Sequence, residues 1–139
     1  MKYDRLRIER MLSSFQSAKS QLERLANTEM GVFLSDPDKI ASAKYNLIVA
    51  IEAIIDIGQH LIAKNKLPLA EDYADIFRVL SEEGVFSSDL LPILINMAKF
   101  RNRLVYIYWD IDNKLVYEIL QNHLQDFDAV LKELSRVLR

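Results

Sequence analysis

Three Gly and three Pro are all the strong breakers this chain carries in 139 residues. A sandwich or barrel needs a turn signal about every 8–12 residues, so this scarcity excludes most all-β designs. What remains is a few long segments, and they carry helical spacing. Ile8, Met11, Leu12, Phe15, Ala18, Leu22, Leu25 and Ala26 recur on one face and predict a first helix over about 4–27. Residues 30–34 read as a short apolar connector that packs against the rest. A second helix starts with Asp36 as N-cap, Pro37 at the first helical position and Asp38 in the first turn, and runs to about residue 64. Its stretch 47–58 is apolar nearly all round, the pattern of a helix buried on more than one side. Glu52 and Asp56 interrupt it, one turn apart on one face.

Leu67-Pro68-Leu69 breaks the chain, and a shorter helix follows over about 71–83, closed by Gly84. Ser87-Ser88-Asp89 supplies caps for a fourth helix, with Pro92 in its first turn, that runs to about residue 108. Asp110-Ile111-Asp112 makes a tight turn with Asp112 as N-cap. The last helix then carries Val116, Ile119, Leu120, Leu124, Phe127, Val130, Leu131, Leu134 and Leu138 to the C-terminus. The expected fold is one all-α domain over 1–139, an antiparallel bundle of four or five helices.

Composition narrows the function. Hydrophobic residues make up 50% of the chain, enough to bury a core. There is no Cys, hence no disulfide, thiolate nucleophile or Cys-ligated zinc. The charged start Met1-Lys2-Tyr3-Asp4-Arg5 is not a signal peptide, and no apolar run approaches 18 residues without a charge. The expectation is a cytoplasmic protein with no membrane span. A net charge of −2 argues against strong nonspecific nucleic-acid binding and leaves room only for a local basic patch. No Gly-rich phosphate loop, Ser-centred elbow or zinc-protease helix occurs. The two His stand apart without ligand spacing, so neither metal nor cofactor is expected. His60 reads as a favourable residue at a helix C-terminus, in reach of Asp56, and His123 as a half-buried packing residue.

One segment, residues 99–110, sets three cations (Lys99, Arg101, Arg103) among Tyr106, Tyr108 and Trp109. Arginine forks suit phosphate and aromatic rings can stack on bases. A helix C-terminus with dipole-compatible cations and aromatic packing would look the same.

The block Met97-Ala98-Lys99-Phe100-Arg101-Asn102-Arg103-Leu104-Val105-Tyr106-Ile107-Tyr108, followed by Trp109-Asp110-Ile111-Asp112, resembles the signature of the HepT-like toxins of the HEPN superfamily (higher eukaryotes and prokaryotes nucleotide-binding). That signature reads Arg-Asn, two residues, Val-His, one residue, Tyr. Residues 50–62 resemble the family's second helix, and 77–86 its third helix and the turn after it. The resemblance implies a five-helix bundle that dimerises around the motif and cleaves RNA without metal. It also implies a nucleotidyltransferase antitoxin of the MntA type that adenylylates the motif Tyr. Carried over, Arg101, Asn102 and Tyr106 are the catalytic positions and Tyr108 the modified residue. Tyr106 stands where the family has His. Imidazole titrates near 6.5 and a phenol near 10, so this change weakens proton transfer more than phosphate binding. Glu52, Asp56 and Arg103 are expected as supporting residues, with a salt bridge from one of the two acids to Arg101 or Arg103. The alternative is a non-catalytic dimeric interaction module or a nucleotide-binding module using the same aromatic and basic residues.

Overall fold

A computed structural model describes residues 1–138 of the chain. The element order is α1 (Arg5–Ala26), α2 (Met30–Leu34), α3 (Pro37–Lys64), α4 (Tyr73–Glu82), α5 (Leu91–Tyr106), the single 3-10 turn η1 (Tyr108–Asp110), α6 (Asn113–Asn122) and α7 (Leu124–Ser135). The all-α bundle expected from the breaker count is therefore present, with no strand among the described residues.

Helix α3 is the axis of the bundle. It runs 28 residues, roughly 42 Å at 1.5 Å per residue, and touches α1, α2, α4, α5 and α6. Its N-terminus is closed as its sequence predicts, with Asp36 Oδ1 accepting from the backbone N–H of Asp38 (3.0 Å) and Lys39 (3.3 Å). Ala50, Ile51, Ala53, Ile54, Ile55 and Ile57 are buried on several sides, because neighbouring helices surround them. By length and apolarity alone α3 could cross a membrane, but 67% of its most apolar window is buried inside the bundle, as in the core helix of a folded domain. α1 lies along α3, presenting Ile8, Phe15, Ala18 and Leu22 to the core. Phe15 meets Phe127 of α7 edge-to-face at 5.7 Å.

α4 approaches α3 so closely that only Gly58 fits. A Cβ on Gly58 would sit 2.7 Å from Cγ2 of Ile76 and 3.1 Å from Cδ1 of Leu80. Gly58→Val is therefore expected to destabilise the fold by about 1–3 kcal/mol through overpacking, read as a lowered urea midpoint at unchanged m-value. Gly84 ends α4 with φ +79°, and the N–H groups of Gly84 and Val85 return to the carbonyls of Ser81 (3.0 Å) and Leu80 (2.9 Å).

Five features differ from the sequence pattern. The expected connector at 30–34 is a short helix, capped by Glu29 and pinned by the buried Phe33 ring against Tyr117. α5 starts one residue after Leu90, without a side-chain cap on Leu90 itself; Ser87 Oγ accepts from the Leu90 N–H at 3.2 Å in the turn leading into it, while the Ser87 N–H and hydroxyl donate to Glu133 of α7 at 2.7 and 2.9 Å. It stops at Tyr106 rather than near 108. The last helix is broken at His123, which caps α6 and starts α7. It ends at Ser135, short of the C-terminus expected, because Arg136 and Val137 form a turn; Arg139 lies outside the described residues.

Candidate functional site

The motif segment occupies the end of α5 and the turn after it. Ile107 leaves the helical conformation (φ −131°, ψ 42°), its N–H still bonded to the Arg103 carbonyl at 2.9 Å. The chain then makes η1, closed by Asp110 N–H to the Ile107 carbonyl at 2.8 Å. Buried Ile111 anchors the turn, and Asp112 caps α6 by accepting from Lys114 N–H at 2.9 Å. With the backbone turned this way, the rings face outward. Tyr106 is 68% exposed, Trp109 81% and Tyr108 38%, and Val105 and Ile107 are also exposed. A contiguous apolar and aromatic patch of this kind on a folded surface marks a site of interaction.

Arg101 sits beside this patch and is held from three sides. Its Nε and Nη2 donate to Glu52 Oε1 at 3.1 and 2.9 Å, so α3 grips the end of α5. Nη1 donates to Asn102 Oδ1 at 3.1 Å. The guanidinium also lies over the Tyr73 ring at 5.0 Å. Burial by itself would lower the Arg101 pKa. The hydrogen bonds and charge of Glu52 outweigh it, helped by Tyr73 and by a hydrogen bond with Tyr106, and the net direction is up. The Arg101 side chain is only 13% exposed against 41% for Glu52. Tyr106, at the position of the family His, is thus in hydrogen-bonding reach of a fixed cation.

Asp56 is one turn along α3 and lines a small groove with Glu52 and Arg10. Its carboxyl is pushed up, first by desolvation and then by the like charge of Glu52, with Arg101 pulling the other way. The expected ion pair between an α3 acid and a motif arginine is the Glu52–Arg101 pair. Arg103 is not part of this cluster. Two residues beyond Arg101 on a helix means the far side. Arg103 stacks on Phe100 at 5.8 Å and, with Lys99, lines an apolar groove of about 710 Å³ between α5 and the α6–α7 pair. The basic strip is split across two faces.

Sequence reasoning missed Lys44 and Tyr73. Lys44 lies on α3, 5% exposed, with its ammonium 4.3 Å from the Tyr108 ring centroid and 3.4 Å from the Tyr108 carbonyl. The available signal was its register: Lys44, Leu47 and Ile51 share the buried stripe of α3. Tyr73 opens α4 behind the N-cap Asp72 and carried no signal.

Neither His plays its expected part. His123 is exposed at the α6–α7 break and pairs with Asp126 at 3.4 Å, so it does not pack. His60 is buried, and its Nε2 accepts from the backbone N–H of Asp4 at 2.8 Å. A ring nitrogen that accepts must be unprotonated. Burial lowers the His60 pKa, and so do Arg7 and Lys64, while Asp4 raises it. The unfolded chain therefore binds the proton more readily, and stability rises with pH across this window. His60 contributes fully above its ordinary value near 6.5 and loses that contribution as pH falls from there toward the lower folded-state value. Melting temperature should drop between pH 7 and 5 more steeply in the native chain than in His60→Gln, whose amide oxygen accepts without titrating.

Residues 15–134 match the family described as Ribonuclease HepT-like. The mRNA nuclease HepT of Shewanella oneidensis is 30% identical over 86 residues, covering 62% of this chain and 65% of that protein. The tRNA nuclease HepT of Aphanizomenon flos-aquae is 24% identical over 117 residues, covering 84% of this chain and 80% of that one. Among solved structures, the tri-AMPylated Shewanella oneidensis HEPN toxin in complex with MNT antitoxin superposes with a TM-score of 0.84 at 22% identity, covering 93% of this chain and 96% of that chain. YutE of Bacillus subtilis, described as a cytosolic protein of unknown function, superposes with a TM-score of 0.83 at 21% identity, covering 98% of this chain and 91% of that chain. With a family match over 15–134 and an all-α fold shared with a HEPN toxin, the chain belongs to the HepT-like family.

Proposed function

We propose that this chain is the toxin of a toxin–antitoxin pair, an RNA endonuclease whose site centres on Arg101 and is weakened by Tyr106. The observation that carries this reading is Arg101 itself, fixed by Glu52 at the edge of an open aromatic face. A planar guanidinium matches a phosphodiester and neutralises the charge that builds up on it during cleavage. In this reading Asn102 orients Arg101 through the bond to Nη1. Tyr106 donates a hydrogen bond at the reacting phosphate but takes up a proton poorly, because a phenol holds its own at neutral pH. Catalysis is assigned to side chains alone, without metal or cofactor. Glu52 holds the arginine, and Asp56 keeps the wall of the site acidic. Two copies of the chain pair through the exposed patch at the end of α5 and form one cytoplasmic cleft. A nucleotidyltransferase antitoxin of the MntA type silences it by adenylylating Tyr108, as the tri-AMPylated state of the Shewanella toxin suggests.

The exposed Tyr106, Tyr108 and Trp109 also favour a second reading, a non-catalytic interaction module, since Tyr, Trp and Arg dominate interface hot spots. Incubation of the purified chain with structured and single-stranded RNA, beside Arg101→Ala, separates the two. Slow cleavage that disappears in Arg101→Ala supports the nuclease. Cleavage equal in both proteins, or none after prolonged incubation, leaves the interaction module.

A further inference from the structure

Lys44 and His60 are the buried charged or polar side chains among the described residues, and His60 is accounted for as a neutral acceptor. Lys44 is not. It makes no ion pair with a carboxylate among the described residues, and an unpaired charge in the interior is costly to keep. Its ammonium is directed entirely at Tyr108, over the ring at 4.3 Å and to the backbone carbonyl at 3.4 Å. An ammonium has three donors and one is engaged here, by a long bond. Of the three rings on this face, Tyr108 is the one held at both ring and backbone. Tyr106, 68% exposed, is the last residue of α5 and has its contact with Arg101 rather than Lys44, and Trp109 is 81% exposed.

We propose that Lys44 is a positioning residue that selects Tyr108 over Tyr106 as the acceptor of an adenylyl group. This rests on the reading of Tyr108 as the modified residue. In the transfer, the Tyr108 hydroxyl oxygen attacks the α-phosphorus of ATP. The new bond is O–P; the bond between the α-phosphorus and the bridging oxygen breaks, pyrophosphate leaves with the electron pair, and the phenolic proton passes to solvent. Fixing the nucleophile in advance removes rotational freedom that would otherwise be lost in the transition state.

The test uses the full chain with ATP and, in parallel, the Shewanella oneidensis MNT antitoxin and the nucleotidyltransferase encoded nearest to this chain. Tandem mass spectrometry gives the share of adenylyl mass on each tyrosine over time at several ATP concentrations. Lys44→Met, which keeps the length and loses the charge, should slow transfer to Tyr108 by about 10- to 100-fold in kcat with KM for ATP little changed. The share on Tyr106 should rise, and Lys44→Arg should restore most of the rate. Circular dichroism and melting establish that each variant is folded. Tyr108→Phe offers a route that leaves Lys44 intact: Tyr106 should then be modified far more slowly than Tyr108 is in the native chain. Unchanged Tyr108 kinetics in Lys44→Met, or rapid transfer to Tyr106 in Tyr108→Phe, overturns the selection by Lys44 and leaves the modification reading standing. No adenylyl mass on the native chain from a transferase that modifies its own toxin overturns both.

Discussion

Replacing Tyr106 with His is expected to raise the rate of RNA cleavage at neutral pH by about 10²–10⁴-fold, the range that a positioned general acid–base group contributes. The argument is chemical first. Cleavage of a phosphodiester by a neighbouring hydroxyl requires one proton to leave the nucleophile and one to reach the leaving oxygen. Imidazole titrates close to the working pH and can do either, whereas a phenol can donate but scarcely accept. It is then geometric. Position 106 is the last residue of α5, 68% exposed and in hydrogen-bonding contact with the Arg101 guanidinium. A His there would meet substrate without displacing any buried group. The substitution should cost little stability, because the side chain it replaces packs against little. Initial rates on a defined single-stranded RNA, measured from pH 5 to 9, give the test. The variant should show a limb near the imidazole value that the native chain lacks. A native chain already as fast as Tyr106→His would show that the phenol is not limiting, and the assignment of weak activity would fail.

Much of this site is legible in the amino-acid sequence, and most of what is not depends on contacts between distant segments. Helix ends set by local chemistry read directly: Asp36 and Asp112 cap because a short carboxylate reaches the free N–H groups, and Gly84 closes α4 because its φ of +79° suits glycine. The Glu52–Arg101 pair could be anticipated because an acid in the apolar stretch of α3 needs a cation. What failed depends on long-range packing. Ser87 caps the turn before α5 as its sequence suggests, but its bonds to Glu133, 46 residues away, are carried by no local pattern. The break at His123 contains neither Gly nor Pro, and the apolar register of Val116, Leu120, Phe127, Val130 and Leu134 runs straight through it. The basic strip failed for a different reason. Lys99, Arg101 and Arg103 are neighbours in sequence, but alternate residues on a helix point to opposite sides, and only Arg101 faces α3. Lys44 was readable from its register and was passed over because a lone Lys in a helix is ordinarily solvated.

Arg101→Ala is expected to lower cleavage by about 10²–10³-fold in the Tyr106→His background, the loss seen when one preorganised donor to a developing charge is removed. Arg101→Lys should recover little of it. Lysine is a point charge on a flexible stem and cannot give Nε and Nη2 together to Glu52 while turning its remaining edge to a phosphate. Glu52 discriminates between binding and positioning. Glu52→Gln keeps an oxygen that accepts from Arg101 and should retain most of the activity at some cost in orientation. Glu52→Ala leaves a guanidinium whose side chain is 13% exposed without its counter-charge. Arg101 should then swing toward solvent, and RNA affinity should hold or rise while the cleavage step slows. The pair is partly solvated on the Glu52 side, 41% exposed, so the stability loss in Glu52→Ala should be nearer the surface-pair range of about 1 kcal/mol than that of a fully buried pair. Single-turnover rates and equilibrium binding to a non-cleavable RNA, measured on the Tyr106→His parent and the four variants, separate the two effects. Equal cleavage by Glu52→Ala and its parent would mean that the grip of α3 on Arg101 has no part in the chemistry, and that the ion pair serves the fold alone.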